Sequence, residues 1–223
     1  MLPLLTINFG DLRRTSPIDD NFGFERGTPI DRVYIDPFLE SHRDDIAGSV
    51  LEMEDPQYSR MFGGNRVTRQ EVLHLYPGNR QATIIGDLAV PGTLPLSAFD
   101  CIIFTQALQF VYDVKSAVTN LHAALKFGGV ILATLPGITK IDRAVTWSGV
   151  QHWSFTAASA ARLFGEVFGS NSISVESHGN VLAAIALLHG ITAEEMGHEY
   201  LAAQDPAYPV IITVRAVKSA AAK

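Results

Sequence analysis

Residues 99–135, FDCIIFTQALQFVYDVKSAVTNLHAALKFGGVILATL, constrain the fold of this chain more than any other stretch. Two apolar runs rich in β-branched residues, Phe99–Phe104 and Val130–Leu135, flank a segment with Val114, Val118, Leu121 and Leu125 at helical spacing. Short apolar runs bounded by turn residues read as buried strands, and the 3.6-residue period between them reads as an amphipathic crossover helix. Asp113 stands where it can cap the start of that helix, and Gly128 where it can close it in the left-handed conformation. Strand, helix and strand in this order make one unit of an open parallel sheet. Such sheets bind ligands beyond the carboxyl ends of their strands.

The rest of the chain extends the same pattern. Strands are expected at Val50–Met53, Val67–Leu75, Ala82–Ile85, Asp100–Phe104, Val130–Leu135, from Ile173 to Val175, and at Val210–Val214. Pro29 opens a helix over about 30–45, with Thr28 as its N-cap, and Thr156 caps a helix over 157–168. Residues 54–66 leave room only for a short or irregular helix near Tyr58–Phe62. Residues 179–205 read as two helices broken at His189-Gly190, the second opened by a Thr192-x-x-Glu195 capping box. The expected organisation is an arm over 1–28, a domain over 29–218 with a helical insertion at 179–205, and a frayed tail at 219–223. The insertion carries Val181, Leu182, Ile185, Leu187 and Leu188. These are expected to bury as a lid wall or, preferably, a homodimer surface, with ordinary core as the alternative.

Composition excludes several classes of function. With 47% hydrophobic and 18% charged residues the chain is globular, and its net charge of −6, without a basic run, argues against nucleic-acid or anionic-membrane partners. No apolar run approaches transmembrane length, the start lacks the features of a signal peptide, and the lone Cys101 suits a reducing compartment. A cytoplasmic protein acting on a small molecule is expected.

The segment 107–136, ALQFVYDVKSAVTNLHAALKFGGVILATLP, resembles the L-x-H-x-x-D…L-K-P-G-G-x-L region of class I S-adenosylmethionine (SAM)-dependent methyltransferases. More closely, FGFERGTPIDRVYI at 22–35, Trp153-Ser154-Phe155-Thr156 and the closing DPAYPVIITVRAVK resemble a small bacterial group of methyltransferase-like proteins. The resemblance implies an α/β, Rossmann-like class I methyltransferase fold. Its sheet would be mostly parallel and seven-stranded, with an antiparallel edge strand and helices on both faces. It further implies SAM as methyl donor, S-adenosylhomocysteine as product, and O- or N-methylation of a small-molecule acceptor. The alternative is a degenerate member with a ligand-binding, partner or non-methyl-transfer role. Two departures motivate it: Glu52-Met53-Glu54-Asp55-Pro56-Gln57 replaces the family's glycine-rich loop, and Gln109 stands for its His; Phe127 also stands where the family has Pro.

By position along the resemblance, Glu52, Met53, Glu54, Tyr58, Gly86, Asp87, Leu88, Thr105 and Gln106 are the candidate cofactor residues. Asp87 matches the family carboxylate that accepts from the adenine amine, although an Asp in GDLAVPG also suits a plain turn. Thr105 equally suits helix capping. His152 is the candidate general base, histidine being the residue type suited to taking a proton from an acidic hydroxyl. Arg26, Tyr34, Gln109 and Trp153 are candidate substrate contacts, and Trp147 and Trp153 a candidate apolar wall. The alternative for Arg26 and Arg32 is an ion pair from the arm to the acidic body. His189, Glu194, Glu195, His198 and Glu199 match no zinc-type motif, so no metal is expected.

Overall fold

The computed structural model describes residues 10–141 and 150–219. Seven strands form one sheet: β1 (Gly48–Met53), β2 (Val67–His74), β3 (Ile84–Ile85), β4 (Phe99–Thr105), β5 (Leu125–Pro136), β6 (Ile173–His178) and β7 (Ile211–Val217). Their spatial order is β3-β2-β1-β4-β5-β7-β6. Strand β1 pairs in parallel with both β2 and β4, with Glu52 opposite Val72 and Ile103. Strand β7 runs antiparallel to β5 and to β6, which places the one reversed strand at that end of the sheet, just inside β6. From β1 the chain builds outward to β3 on one side and then returns to lay β4 and β5 on the other. That reversal between β1 and β4 opens a crevice at their carboxyl ends.

Alternation along the central strands feeds two cores. Leu51, Ile102, Phe104 and Ile131 pack on one face with α2 (Val114–Ala124) and α3 (Ala157–Phe168), including the buried Leu121 and Phe164. Val50, Cys101, Ile103 and Leu132 pack on the other face with α1 (Arg32–Ser41) and α4 (Val181–His189). Each large apolar side chain buried in this way contributes about 1.5–3 kcal/mol of transfer free energy.

Several elements depart from the sequence expectations for identifiable reasons. Helix α1 starts at Arg32 with Asp31 as cap, because Thr28 is spent elsewhere: its N–H and hydroxyl donate to Glu194. Helix α2 does start on Asp113 but ends at Ala124, before Gly128. The N–H groups of Ser97 and Ala98 take the Ala123 and Ala124 carbonyls, and Lys218 Nζ takes those of Ala123 and Leu125. Gly128, at φ +79°, instead serves the irregular first part of β5. The expected capping residue Thr156 and the Thr192–Glu195 box are both present, and Gly190 closes α4 in the left-handed conformation. Beyond it lie two short helices, α5 (Ala193–Met196) and α6 (His198–Ala202).

Of the five side chains that the sequence singles out on helix α4, Leu187 is buried and Ile185 half-buried, and the other three are not. Ala183, Ala184, Ala186 and Leu187 pack on the core, while Val181, Leu182 and Leu188 are exposed. Small residues on the inner face let α4 lie close against the segment around Ile30, Tyr34 and Ile35. Among the described residues, no helix is long and apolar enough to cross a membrane.

Candidate functional site

Two cavities open over the carboxyl ends of β1, β2 and β4, and they share Met53 and Phe110 as a common wall. The first has a volume of about 290 Å³ and the second about 370 Å³. Together they fall within the range of small-molecule sites.

The loop after β1 shapes the first cavity. Glu52 is buried, and its carboxylate accepts from the N–H groups of Tyr58 (2.8 Å) and Ser59 (2.9 Å) and from the Ser59 hydroxyl (2.7 Å). It thereby closes the single π-helical turn Ser59–Gly63 with an internal anion. Burial pushes this carboxyl up to about 7; the Ser59 and Tyr58 hydrogen bonds pull the other way, and Asp55 adds to the rise. The backbone then reverses at Glu54 (φ +67°), where the Asp55 N–H donates to the Met53 carbonyl at 2.8 Å. Asn79 Nδ2 holds the Glu54 carbonyl at 2.5 Å. A tight turn with positive φ, normally the province of glycine, is thus made by a glutamate, at a cost on the order of 1–3 kcal/mol.

A second left-handed residue, Gln106 (φ +48°), follows β4. Its N–H donates to the Thr134 carbonyl and its side-chain amide to the Thr134 hydroxyl. Gln109 Nε2 donates to the Gln106 carbonyl at 2.8 Å. The Gln109 side chain is buried, and its Oε1 has no hydrogen-bond partner among the described residues.

The N-terminal segment supplies the outer wall through Phe22, Phe24, Asp31 and Arg32. Arg32 pairs with Asp31 at 3.1 Å, and its guanidinium carbon lies 5.7 Å from the Phe24 ring centre and 5.9 Å from that of Tyr58. Burial first, with neighbouring carboxylates adding to it against the opposing pull of Arg32, raises the Tyr58 phenol well above its usual range. Lys140 reaches across from the segment after β5, bonding the Asp20 carbonyl and sitting 4.2 Å over the Phe22 ring.

The second cavity is more apolar. Leu73, Leu88, Phe104, Val111 and Tyr112 line it beside Gly86, Asp87 and His152. Asp87 does make the plain turn: its Oδ1 accepts from the Ala89 N–H at 2.8 Å and its carbonyl from the Thr93 hydroxyl at 2.6 Å. It lines the cavity as well.

The structure brings together Glu52, Met53, Glu54, Tyr58, Thr105, Gln106 and Gln109 on the first cavity, and Met53, Gly86, Asp87, Leu88 and His152 on the second. The His152 ring stands edge-on to Tyr112 with ring centres 5.3 Å apart, and the His152 backbone N–H donates to the Gln109 carbonyl. Arg26, Tyr34 and Trp153 line neither cavity. Arg26 is held by Glu195 (2.9 Å), Asp19 (2.6 Å) and the Gly190 carbonyl (2.7 Å), so the ion-pair alternative describes it. Tyr34 donates to the Leu201 carbonyl, and the Trp153 indole N–H to the carbonyls of Val111 and Tyr112. Trp147 falls outside the described residues. Sequence reasoning missed Phe22, Phe24, Gln57, Phe110 and Lys140 on the first cavity and His74 and Tyr112 on the second. The two phenylalanines sit in the conspicuous N-terminal motif, which was the available signal. Lys140 carried none.

No protein-family model matches the chain, and no curated protein matches it in sequence. Solved structures do. A SAM-dependent methyltransferase from Archaeoglobus fulgidus aligns with TM-score 0.54 at 11% identity, over 90% of this chain and 100% of that one. The chain has the class I SAM-dependent methyltransferase fold. A SAM-dependent methyltransferase from Mesorhizobium loti gives 0.52 at 16% identity, over 81% and 96%. The complex of the Haloferax volcanii Trm112 methyltransferase activator with a methyltransferase gives 0.53 at 13%, over 85% and 94%. Identities this low speak to the fold alone.

Proposed function

We propose that this protein is a SAM-dependent methyltransferase acting on a small molecule. The observation that carries the reading is the pair of adjoining cavities over the switch point, joined at Met53 and Phe110. In this reading the apolar second cavity takes the nucleoside, with Asp87 accepting from the base and Leu88 and Tyr112 packing on it. The first takes the methionine end and the acceptor, beside Glu54, Thr105 and Gln106. Bound there, SAM supplies a methyl group made electrophilic by its sulfonium. The chain's residues then need only align an acceptor and keep water out, and alignment alone is worth several kcal/mol. Phe22, Phe24, Tyr58 and Phe110 form the water-excluding wall. His152 stands on the nucleoside side, against Tyr112.

The residues fit the group at the loop in one respect and limit it in another. The Glu54 turn places carboxylates beside the space for a cationic cofactor. The Tyr58 and Ser59 N–H groups, however, already serve Glu52 and are not available to a cofactor carboxylate. That second point favours the competing reading, a protein of this fold that binds ligand without transferring methyl.

Calorimetric titration with SAM and S-adenosylhomocysteine decides the first question. Saturable binding is expected, weakened about tenfold or more by Asp87→Ala, the scale of one charged hydrogen bond. Heat indistinguishable from dilution at millimolar ligand would overturn the proposal. Binding without any consumption of methyl donor in an extract of candidate acceptors would transfer the case to the competing reading.

A further inference from the structure

The loop after β1 keeps its backbone donors for its own chain. The Glu54 N–H donates to the Leu73 carbonyl, the Asp55 N–H to the Met53 carbonyl and the Gln57 N–H to Asp55 Oδ1. Those of Tyr58 and Ser59 go to Glu52, and Pro56 has none. A glycine-rich loop leading into a helix at this place would turn several such groups toward a ligand anion. A carboxylate bound beside this loop must take its hydrogen bonds from side chains, because one left without donors in a closed cavity is costly.

Two side chains on the lining of the first cavity, Arg32 and Tyr58, hold donors in reserve. Tyr58 is 8% exposed, with its ring stacked on Phe62 at 6.0 Å between centres and its N–H tied to Glu52, so the phenol is held in place. The phenol oxygen makes no hydrogen bond among the described residues, and it is not shut away from solvent as Gln109 Oε1 is. Burial keeps it protonated against the pull of Arg32, which leaves an O–H to give. Arg32 spends Nη1 on Asp31 at 3.1 Å and makes no other side-chain hydrogen bond among the described residues. Asp31 is itself fixed, because its other oxygen caps α1. The remaining guanidinium N–H groups, steadied against the Phe24 and Tyr58 rings, suit a second carboxylate. Lys140, also on the lining, is already held by Asp20.

We propose that Arg32 and the Tyr58 hydroxyl bind the α-carboxylate of the cofactor, in place of the backbone cradle that the loop after β1 has given up. The assignment rests on the methyl-donor reading of the two cavities. It makes the start of α1 part of the cofactor site and gives Tyr58 a task beyond excluding water.

Calorimetry on the full chain compares three ligands at neutral pH. S-adenosylhomocysteine carries the carboxylate, S-adenosyl-3-thiopropylamine keeps the amine and lacks only the carboxylate, and 5′-methylthioadenosine lacks both. The wild type is expected to bind S-adenosylhomocysteine at least about tenfold more tightly than the thiopropylamine. Tyr58→Phe should cut that preference at least about threefold and Arg32→Met should bring it close to unity, with 5′-methylthioadenosine affinity unchanged in both. Asp87→Ala, acting at the nucleoside, should weaken all three ligands alike and keep the preference. Should Arg32→Met fail to fold, Tyr58→Phe carries the test, because it deletes a hydroxyl without a protein partner and should keep the wild-type urea midpoint. S-adenosylhomocysteine binding with no preference over the thiopropylamine, or a preference that Tyr58→Phe leaves intact, overturns the carboxylate site and leaves the methyl-donor reading standing. Equal weakening of all three ligands by Tyr58→Phe also overturns it, by assigning Tyr58 a merely structural role. Failure of all three ligands to bind at millimolar concentration overturns the methyl-donor reading, and the site with it.

Discussion

At the end of β1, Glu52 gives up water for three donors of its own chain, and its protonation follows from that exchange. The sequence singles out Glu52, Glu54 and Asp55 as an acidic cluster, but it gives the three no separate tasks. In the fold, Glu52 turns inward to Tyr58 and Ser59, while Glu54 makes the tight turn. A carboxyl whose folded value is raised from 4.5 to about 7 binds more protons folded than unfolded. Its contribution to stability is therefore fully present below 4.5 and is lost as pH rises through about 7. The loss amounts to at most about 3 kcal/mol. Glu52→Gln should flatten this part of the profile. His122 and His178, both lowered chiefly by burial, act in the opposite sense but are common to both proteins, so the difference isolates Glu52. Urea midpoints of wild type and variant between pH 5 and 8 check it, and parallel profiles would refute the assignment.

Among the elements, the N-terminal segment and the α4–α6 insertion are mutually dependent. Pro29 bridges to Thr192, the Ala193 N–H donates to the Thr28 carbonyl, and Gly23 lies so close to Gly190 and Thr192 that a side chain there would collide. Hydrogen bonds from Thr28 hold Glu194 down to about 2, and those from Arg26 do the same for Glu195. This lock sets Phe22 and Phe24 over the first cavity. It also explains why an apolar helix is inserted before β7: α4 completes the core beneath that wall. The expected consequence is an inverted pattern of tolerance along α4. Ala186→Leu, at a fully buried position, should cost about 1–3 kcal/mol by overpacking. Leu182→Glu, on the exposed side, should stay within about 0.5 kcal/mol of wild type in chemical denaturation. The opposite ranking would mean that the outer face of α4 is the buried one, as in a homodimer.

At the scale of the molecule, both cores are built on the same sheet, so the central strands open only when everything does. Cys101 sits fully buried in β4, with its thiol pushed far above the usual range by burial, and it is the single cysteine of the chain. It is expected to resist thiol reagents in the native protein and to react in urea at the rate at which dichroism is lost. Reaction that is fast and independent of denaturant would show instead that β4 opens locally.

What the sequence determined by itself was carried by local patterns. The apolar runs of β4 and β5, the helical spacing from Val114 to Leu121, the Asp113 and Thr156 caps and the Thr192–Glu195 box each act within a few residues. Neighbours in sequence suffice to encode them. Tertiary structure alone decided where long-range polar partners fall. Thr28 abandons its helix for Glu194, Lys218 from the end of β7 cuts α2 short, and Glu195 draws Arg26 away from the cleft. Tyr34 goes to Leu201, and Lys140 crosses to Asp20. Such side chains bond to whichever group the strand order brings within about 3 Å, and no period or propensity along the chain records that distance.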